Sequence, residues 1–103
     1  FVAQKGDLVL GYVGISAILD EGYITNVAVF PEARRQGVAS ALLNFLFEFA
    51  KENSLSFISL EVRESNNAAI SLYQKFGFKT EGKRKNFYSA PQEDALIMTK
   101  RFD

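Results

Sequence analysis

The chain has 103 residues, 48% of them hydrophobic and 14% aromatic, which predicts one globular domain rather than a disordered chain. Twelve basic and twelve acidic residues cancel, so we expect neither nucleic acid nor a membrane surface as a partner. Cys and His are both absent, which excludes disulfides, a thiol nucleophile and imidazole chemistry. We therefore expect no metal, acid–base work by carboxylate, Lys or Tyr, and a cytoplasmic location.

The first part of the chain is predicted to form an antiparallel meander of three strands, over residues 1–5, 8–19 and 23–30. Gly6-Asp7 and Asp20-Glu21-Gly22 are predicted to form the two turns. Gly11 and Gly14 lie inside the second strand, where glycine weakens pairing or marks a bulge or a close approach by a neighbour. The chain begins at Phe1 with no initiator Met, so we expect a fragment of a longer domain.

A turn with Pro31 and Gly37 separates the third strand from a helix predicted from Val38 to about Asn53. The first N–H groups of a helix favour an anion such as a phosphate, and glycine lets that anion approach the backbone. The alternative is an ordinary strand-to-helix connection. The helix presents a wide apolar face, with Phe47 near its edge, where it either packs in the core or meets a partner.

The second half of the chain is predicted to form a strand over 57–62, a helix over 68–75, and two strands over 78–88 and 95–102 joined by a polar loop. Ser65 or Asn66 is placed to cap the helix, and Gly77 to end it. The resulting fold class is α+β, a mixed, mostly antiparallel sheet with helices packed on it.

Two stretches resemble the GCN5-related N-acetyltransferase (GNAT) superfamily. Residues 34–39, Arg-Arg-Gln-Gly-Val-Ala, match its acetyl-CoA loop, Arg/Gln-x-x-Gly-x-Gly/Ala, with Ala39 where Gly is commoner. Leu60–Phe78 is similar to the LEVR-x-SN-x-x-AI-x-LY-x-x-x-GF signature of the RimI-type branch, which acetylates ribosomal-protein N-termini. The resemblance implies a single GNAT domain over 1–103 that lacks the first strand and the first two helices, one wall of the acceptor site.

The resemblance also implies acetyl-CoA as cosubstrate. The backbone of Val27, Ala28 and Val29 would bind the acetyl and pantetheine part like an added strand. The pyrophosphate would lie against the loop and helix start formed by Arg34, Arg35, Gln36, Gly37, Val38, Ala39 and Ser40. Asn66 matches a further cofactor contact, although it could also be the helix cap, and the two Arg residues could be a solvated surface pair.

In the family, the position of Glu61 holds the general base and that of Tyr73 the general acid. Glu61 would take a proton from the acceptor amine, and Tyr73 would protonate the departing CoA thiolate, in a direct attack without an acetyl-enzyme. The residues alone leave alternatives open. Strand alternation places Glu61 on a solvent-facing side, and Tyr73 could simply be a tyrosine packed between helix and sheet.

The resemblance predicts acetyl transfer to a primary amine, foremost the N-terminal α-amine of a ribosomal protein. Alternatives are a GNAT acting on a small-molecule amine or on lysine, and an inactive CoA-binding module. Lys83-Arg84-Lys85 with Phe87 and Tyr88 is interpreted as a solvated strand face, or secondarily as a border of the acceptor groove. An exposed sheet edge predicts a possible homodimer.

Overall fold

The computed structural model describes residues 2–5, 8–29 and 37–102, and for 2–5, 8–10 and 26–29 it describes the backbone alone. The elements follow one another as β1 (Val2–Lys5), β2 (Leu8–Ile18), β3 (Glu21–Val29), α1 (Val38–Glu52), β4 (Phe57–Arg63), α2 (Asn67–Lys75), β5 (Lys79–Ser89) and β6 (Gln92–Arg101). The predicted turn at Gly6-Asp7 lies outside the described residues.

The six strands form one sheet in the order β1-β2-β3-β4-β6-β5. Every neighbouring pair is antiparallel except β3 and β4, which run parallel. A parallel pair needs a crossover connection, and α1 supplies it. The predicted mixed, mostly antiparallel sheet is confirmed, and the parallel pair stands at its centre.

Helix α1 packs its apolar face on this sheet, as its sequence pattern predicts. The buried residues of the helix contact a core cluster that includes the alternate residues Ile58, Leu60 and Val62 of β4. Tyr73 of α2 belongs to the same cluster, so both helices cover one face of β4. Of the helices that the structure describes, neither is long and apolar enough to cross a bilayer.

Helix α2 begins one residue before the predicted Ala68 and ends at the predicted Lys75, with the predicted cap residues at both ends. Asn66 is the N-cap, and its side-chain oxygen accepts a hydrogen bond from the N–H of Ala69 at 3.2 Å. At the other end Gly77 adopts φ +95°, and the N–H of Phe78 donates to the carbonyl of Tyr73 at 2.9 Å. This left-handed end is the Schellman arrangement that glycine permits, and it turns the chain directly into β5.

The predicted turn between β2 and β3 was wrong in its position. The turn is Leu19-Asp20, whereas Glu21 and Gly22 already belong to β3. A Cβ at Gly22 would lie 3.0 Å from a methyl carbon of Leu55, so this glycine allows close packing under the sheet rather than a turn. Ser56 holds the turn in place, because its N–H donates to the Asp20 carbonyl at 2.6 Å.

The predicted loop over residues 89–94 was also wrong. Only Ala90-Pro91, joined by a cis peptide bond, connects the two strands, and Gln92 begins β6. The guanidinium of Arg63 donates to the carbonyls of both turn residues, at 3.3 Å to Ala90 and 3.0 Å to Pro91. A side chain distant in sequence therefore stabilises a turn shorter than local composition suggests.

Of the two alternatives for Phe47, core packing or contact with a partner, packing in the core is the one that the structure confirms. Phe47 packs against the rings of Phe76, Phe78 and Phe102, with centroids 5.9–6.2 Å apart. Phe45 is instead the exposed one, with 63% of its surface accessible. Both residues are apolar and two positions apart on α1, so the sequence pattern could not tell which of them faces the sheet.

Candidate active site

The candidate site lies where β3 and β4 separate. Their parallel pairing joins Glu21–Tyr23 to Phe57–Ser59. The next residues of the two strands, Ile24 and Leu60, line a cavity of about 350 Å³. The other residues that line it are Thr25, Glu61, Val62, Arg63, Asn66, Ala69, Tyr73 and Tyr88.

A bulge marks the same point on β3. In the pairing with β2, Gly14 is opposite Asn26 and Ile15 is opposite Ile24, so β3 holds one extra residue, Thr25, between them. A bulge of this kind bends its strand and increases the local twist. The bend carries β3 away from β4, and the cavity opens between the strands. Both glycines of β2 lie beside a bulge, as predicted: Gly14 is opposite this one, and Gly11 adjoins a second, where Ala3 is opposite Gly11 and Gln4 is opposite Val9.

Tyr73 enters the cavity from α2. Only 8% of the residue is exposed, and its ring meets that of Phe78 edge-on, with centroids 5.6 Å apart. Burial raises the pKa of the Tyr73 hydroxyl above the ordinary 10.0, and the nearby Tyr88 raises it further. The hydroxyl therefore keeps its proton through the neutral range and can donate it.

Glu61 stands between two cavities. A second cavity of about 260 Å³ shares Ile24, Leu60 and Glu61 with the first, and its other lining residues are Tyr23, Ser59, Arg84 and Ile97. About a third of the Glu61 side chain is exposed. One guanidinium nitrogen of Arg84 donates to both carboxylate oxygens at 3.2 Å. Glu61 is thus both solvent-accessible, as strand alternation predicts, and part of the cavity wall.

Asn66 reaches the cavity from the start of α2, where it also caps the helix. The cap role predicted for it is confirmed. The structure therefore brings three sequence-predicted site residues, Glu61, Asn66 and Tyr73, to the wall of one cavity.

Arg63 and Tyr88 also line the cavity and contact each other. The guanidinium carbon of Arg63 lies 4.3 Å from the centroid of the Tyr88 ring, within the range of a cation–π contact. Arg63 also pairs with Glu93 at 3.3 Å, and the N–H of Ser65 donates to the same carboxylate at 2.5 Å. This network joins the end of β4 to the β5–β6 turn and holds Tyr88 against the cavity.

We expect this network to make the protein's stability depend on acid pH. The pKa of Glu93 lies below its ordinary 4.5, chiefly because of its hydrogen bond with Ser65 and further because Arg63 donates to it. A lowered pKa in the folded state stabilises the fold above the unfolded pKa, and this contribution is lost as pH falls through the folded value. From about pH 5 to about pH 3, the melting temperature should therefore fall more steeply in the wild type than in Glu93→Gln.

Thermal unfolding followed by circular dichroism at several pH values measures this difference. Glu52→Gln, at an exposed glutamate of α1, is the matched control and should leave the slope unchanged. Equal slopes for Glu93→Gln and the wild type would contradict the assignment.

The start of α1 offers the groups predicted for phosphate contact. Gly37 precedes the helix with φ +72°, and a Cβ there would have no atom within 4 Å. The first turn, which holds Val38, Ala39 and Ser40, contains no acidic residue, so no carboxylate competes for its N–H groups. The predicted Arg34, Arg35 and Gln36 lie outside the described residues.

The backbone of Val27, Ala28 and Val29 continues β3 beyond the bulge. These residues pair with Val13, Tyr12 and Gly11 of β2 along one edge of the strand. The other edge of β3 is on the side where β4 lies in the sheet. An extended ligand could form backbone hydrogen bonds along that edge, in the way that an added strand does.

Two cations of the basic–aromatic patch, Lys83 and Arg84, are paired with carboxylates of other segments. Lys83 donates to Glu64 at 3.2 Å and lies 3.9 Å from Asp94, and Arg84 is bonded to Glu61. The sequence around the patch did not reveal these carboxylates, which neutralise its charge.

Several cavity residues were not predicted from the sequence. Ile24 and Thr25 line the cavity only because two strands separate there. Arg63 could have been predicted, since it lies two positions after Glu61 and therefore on the same face of the strand.

The sequence model described as the acetyltransferase (GNAT) family matches residues 1–78 of the chain. A protein of Bacillus subtilis (strain 168), named provisionally as a [ribosomal protein bS18]-alanine N-acetyltransferase, is 44% identical over 97 residues. That alignment covers 94% of this chain and 64% of the relative.

Solved structures give the same picture of the fold. The crystal structure of the ribosomal-protein-S18-alanine N-acetyltransferase from Escherichia coli superposes with a TM-score of 0.89 at 35% identity, over 95% of this chain and 64% of that one. A structure from Bacillus anthracis str. Ames, named provisionally as a streptothricin acetyltransferase in complex with acetyl coenzyme A, gives 0.86 at 27% identity, over 99% and 61%. The chain therefore spans less than two thirds of each of these relatives.

Proposed function

The chain belongs to the acetyltransferase (GNAT) family and has its fold, and we propose that it transfers the acetyl group of acetyl-CoA to the N-terminal α-amine of a ribosomal protein. The names of its relatives support this acceptor, since those from Bacillus subtilis and Escherichia coli refer to an alanine of ribosomal protein bS18 or S18. A cytoplasmic location is part of the proposal, because acetyl-CoA and new ribosomal proteins meet there.

The observation that carries the proposal is the cavity between β3 and β4. A protonated acid, Tyr73, and a carboxylate, Glu61, line it together. Acyl transfer to an amine needs this pair of groups, because one proton leaves the nucleophile and another reaches the leaving group.

The reaction follows from these two groups. An N-terminal amine is largely protonated at neutral pH, since its reference pKa is about 7.7–8.0. Glu61 takes that proton, directly or through a water, and the free amine attacks the thioester carbonyl. This attack forms the C–N bond. As the tetrahedral intermediate collapses, the C–S bond breaks and Tyr73 donates its proton to the CoA sulfur. The second proton of the attacking nitrogen then passes through water to the tyrosinate, which restores the hydroxyl. With no Cys in the chain, the attack is direct rather than through an acetyl-enzyme.

The residues before and at the start of α1 would hold the cosubstrate. The first turn of α1, which holds Val38, Ala39 and Ser40, contains no acidic residue. Its N–H groups would therefore be free of a competing carboxylate and could bind the pyrophosphate. Arg34 and Arg35 would add charge there, and the backbone of Val27–Val29 would pair with the amides of the pantetheine arm. Asn66 would contact the cosubstrate while capping α2. The predicted homodimer through a sheet edge stays a prediction.

Titration of acetyl-CoA into the chain, followed by release of free CoA thiol, tests the proposal. We expect saturable binding, and turnover with a peptide that begins with alanine. The same peptide with an acetylated N-terminus and one added lysine is the matched control for lysine as acceptor, and spermidine represents small amines.

Each outcome separates the alternatives. Turnover with the control peptide or spermidine, but not with the free N-terminus, would overturn the proposed acceptor. Binding without any turnover would favour the CoA-binding module. No binding would contradict acetyl-CoA as the cosubstrate of this chain.

A further inference from the structure

Arg84 is the cation that reaches Glu61. It lies in β5 between two lysines, and strand alternation sends its side chain to the face opposite theirs. Lys83 is bonded to Glu64, whereas one nitrogen of Arg84 lies 3.2 Å from both carboxylate oxygens of Glu61.

The order of the strands makes this contact possible. Arg84 is opposite Ala95 of β6, which is in turn opposite Arg63 of β4. Two strand spacings, about 10 Å, therefore separate the backbone of Arg84 from β4. The side chain of an arginine is long enough to cross the intervening strand and end in a fork of donors.

The Arg84 side chain is itself held in place. Its guanidinium carbon lies 4.9 Å from the centroid of the Phe87 ring, a cation–π distance. The register of β5 is irregular between Arg84 and Tyr88, and there Asn86 adopts φ +54° and donates its N–H to Asp94 at 2.9 Å. This irregular segment is what lets the ring of Phe87 turn back toward Arg84.

We propose that Arg84 is a positioning residue, whose guanidinium orients the carboxylate of Glu61 at the boundary of the two cavities so that it can accept the proton of the acceptor amine. This inference rests on the base role proposed for Glu61. A glutamate with about a third of its side chain exposed would otherwise rotate among several rotamers. A single donor between its two oxygens limits that rotation. The 3.2 Å contacts are longer than the 2.7–2.9 Å of strong charge-assisted bonds, so the carboxylate is oriented and still accessible to the amine.

The geometry also divides the site between the two substrates. The cavity shared with Tyr73 lies against α2 and would receive the thioester, since the leaving sulfur needs that hydroxyl. The second cavity holds Arg84 and apolar Ile97 and would receive the acceptor. Glu61 borders both cavities. The orientation of its carboxylate therefore decides whether it can take a proton from the amine while that amine lies next to the thioester carbon.

Steady-state kinetics of Arg84→Ala test the proposal. We expect kcat to fall roughly tenfold, because a misplaced base loses its near-attack geometry, while the affinity for acetyl-CoA and the melting temperature stay unchanged. Arg84→Lys, which keeps the charge without the fork, should recover part of the loss. Arg101→Ala removes another arginine–glutamate pair, with Glu81, and as the matched control should leave kcat unchanged.

A double variant identifies the route of the effect. If Arg84 acts through Glu61, Arg84→Ala should cause no further loss in a Glu61→Gln background. Full kcat in Arg84→Ala, or the same tenfold loss in both backgrounds, would overturn the inference. Unchanged turnover in Glu61→Gln alone would instead overturn the base role on which it rests, so the two failures are distinguishable.

Discussion

Replacing Glu61 with glutamine is expected to lower the rate of acetyl transfer by a factor of about 10² to 10⁴. Glutamine has nearly the same shape, and its carbonyl oxygen can still accept the hydrogen bond from Arg84, so the fold and the cavity should persist. What is lost is the group that deprotonates the amine. Affinity for acetyl-CoA should be unchanged, because the proposed cosubstrate contacts lie on β3, α1 and α2.

The same variant has a distinctive pH dependence. At about pH 9 most of an N-terminal amine is already free, since its reference pKa is about 7.7–8.0. The deficit of Glu61→Gln should therefore shrink as pH rises. Rates of thiol release between about pH 6.5 and about pH 9 measure this, with Glu81→Gln, from the ion pair with Arg101, as control. A deficit that is absent, or constant across this range, would contradict a base at Glu61.

Removing the hydroxyl of Tyr73 is the second large change. Tyr73→Phe keeps the buried ring and its edge-on contact with Phe78, so the melting temperature should change little. We expect kcat to fall about 10²-fold, because the CoA thiolate would leave without a proton donor. Calorimetric affinity for acetyl-CoA should stay within the wild-type range, which separates a chemical effect from a binding effect.

The pKa of Tyr73 gives this prediction a pH signature. Burial raises it above 10.0, so the proton-bearing form persists throughout the neutral range and beyond. Because less than about a tenth of a group is deprotonated more than one pH unit below its pKa, the wild-type kcat should show no decline due to Tyr73 up to about pH 9. Turnover of Tyr73→Phe within threefold of wild type would exclude the hydroxyl as the acid.

The local part of the fold could be predicted from the sequence because its signals are local. An asparagine cap, a left-handed glycine and an apolar helix face act within a few residues, and α2 and α1 formed where Asn66, Gly77 and Val38 indicate. The errors fell where distant contacts decide. The β5–β6 turn is short, and Arg63 donates to both of its carbonyls. The β2–β3 turn lies earlier than predicted, and there Ser56 donates to the carbonyl of Asp20.

The sequence by itself determined the chemical inventory of the site and the family. Without Cys or His, proton transfer is left to carboxylates, lysines and tyrosines, and the resemblance of the motif around Glu61 and Tyr73 predicts these two as base and acid. These residues lie in one strand–helix unit, so their spacing is written in consecutive sequence.

Only the tertiary structure decided how that inventory is arranged. The bulge at Thr25 separates β3 from β4 and opens the cavity, and the order β4-β6-β5 brings Arg84 to a carboxylate 23 residues away. The physical reason is that strand order and register depend on how whole strands pack. A periodic pattern shows which face a residue occupies, but not which residue of another strand it will meet.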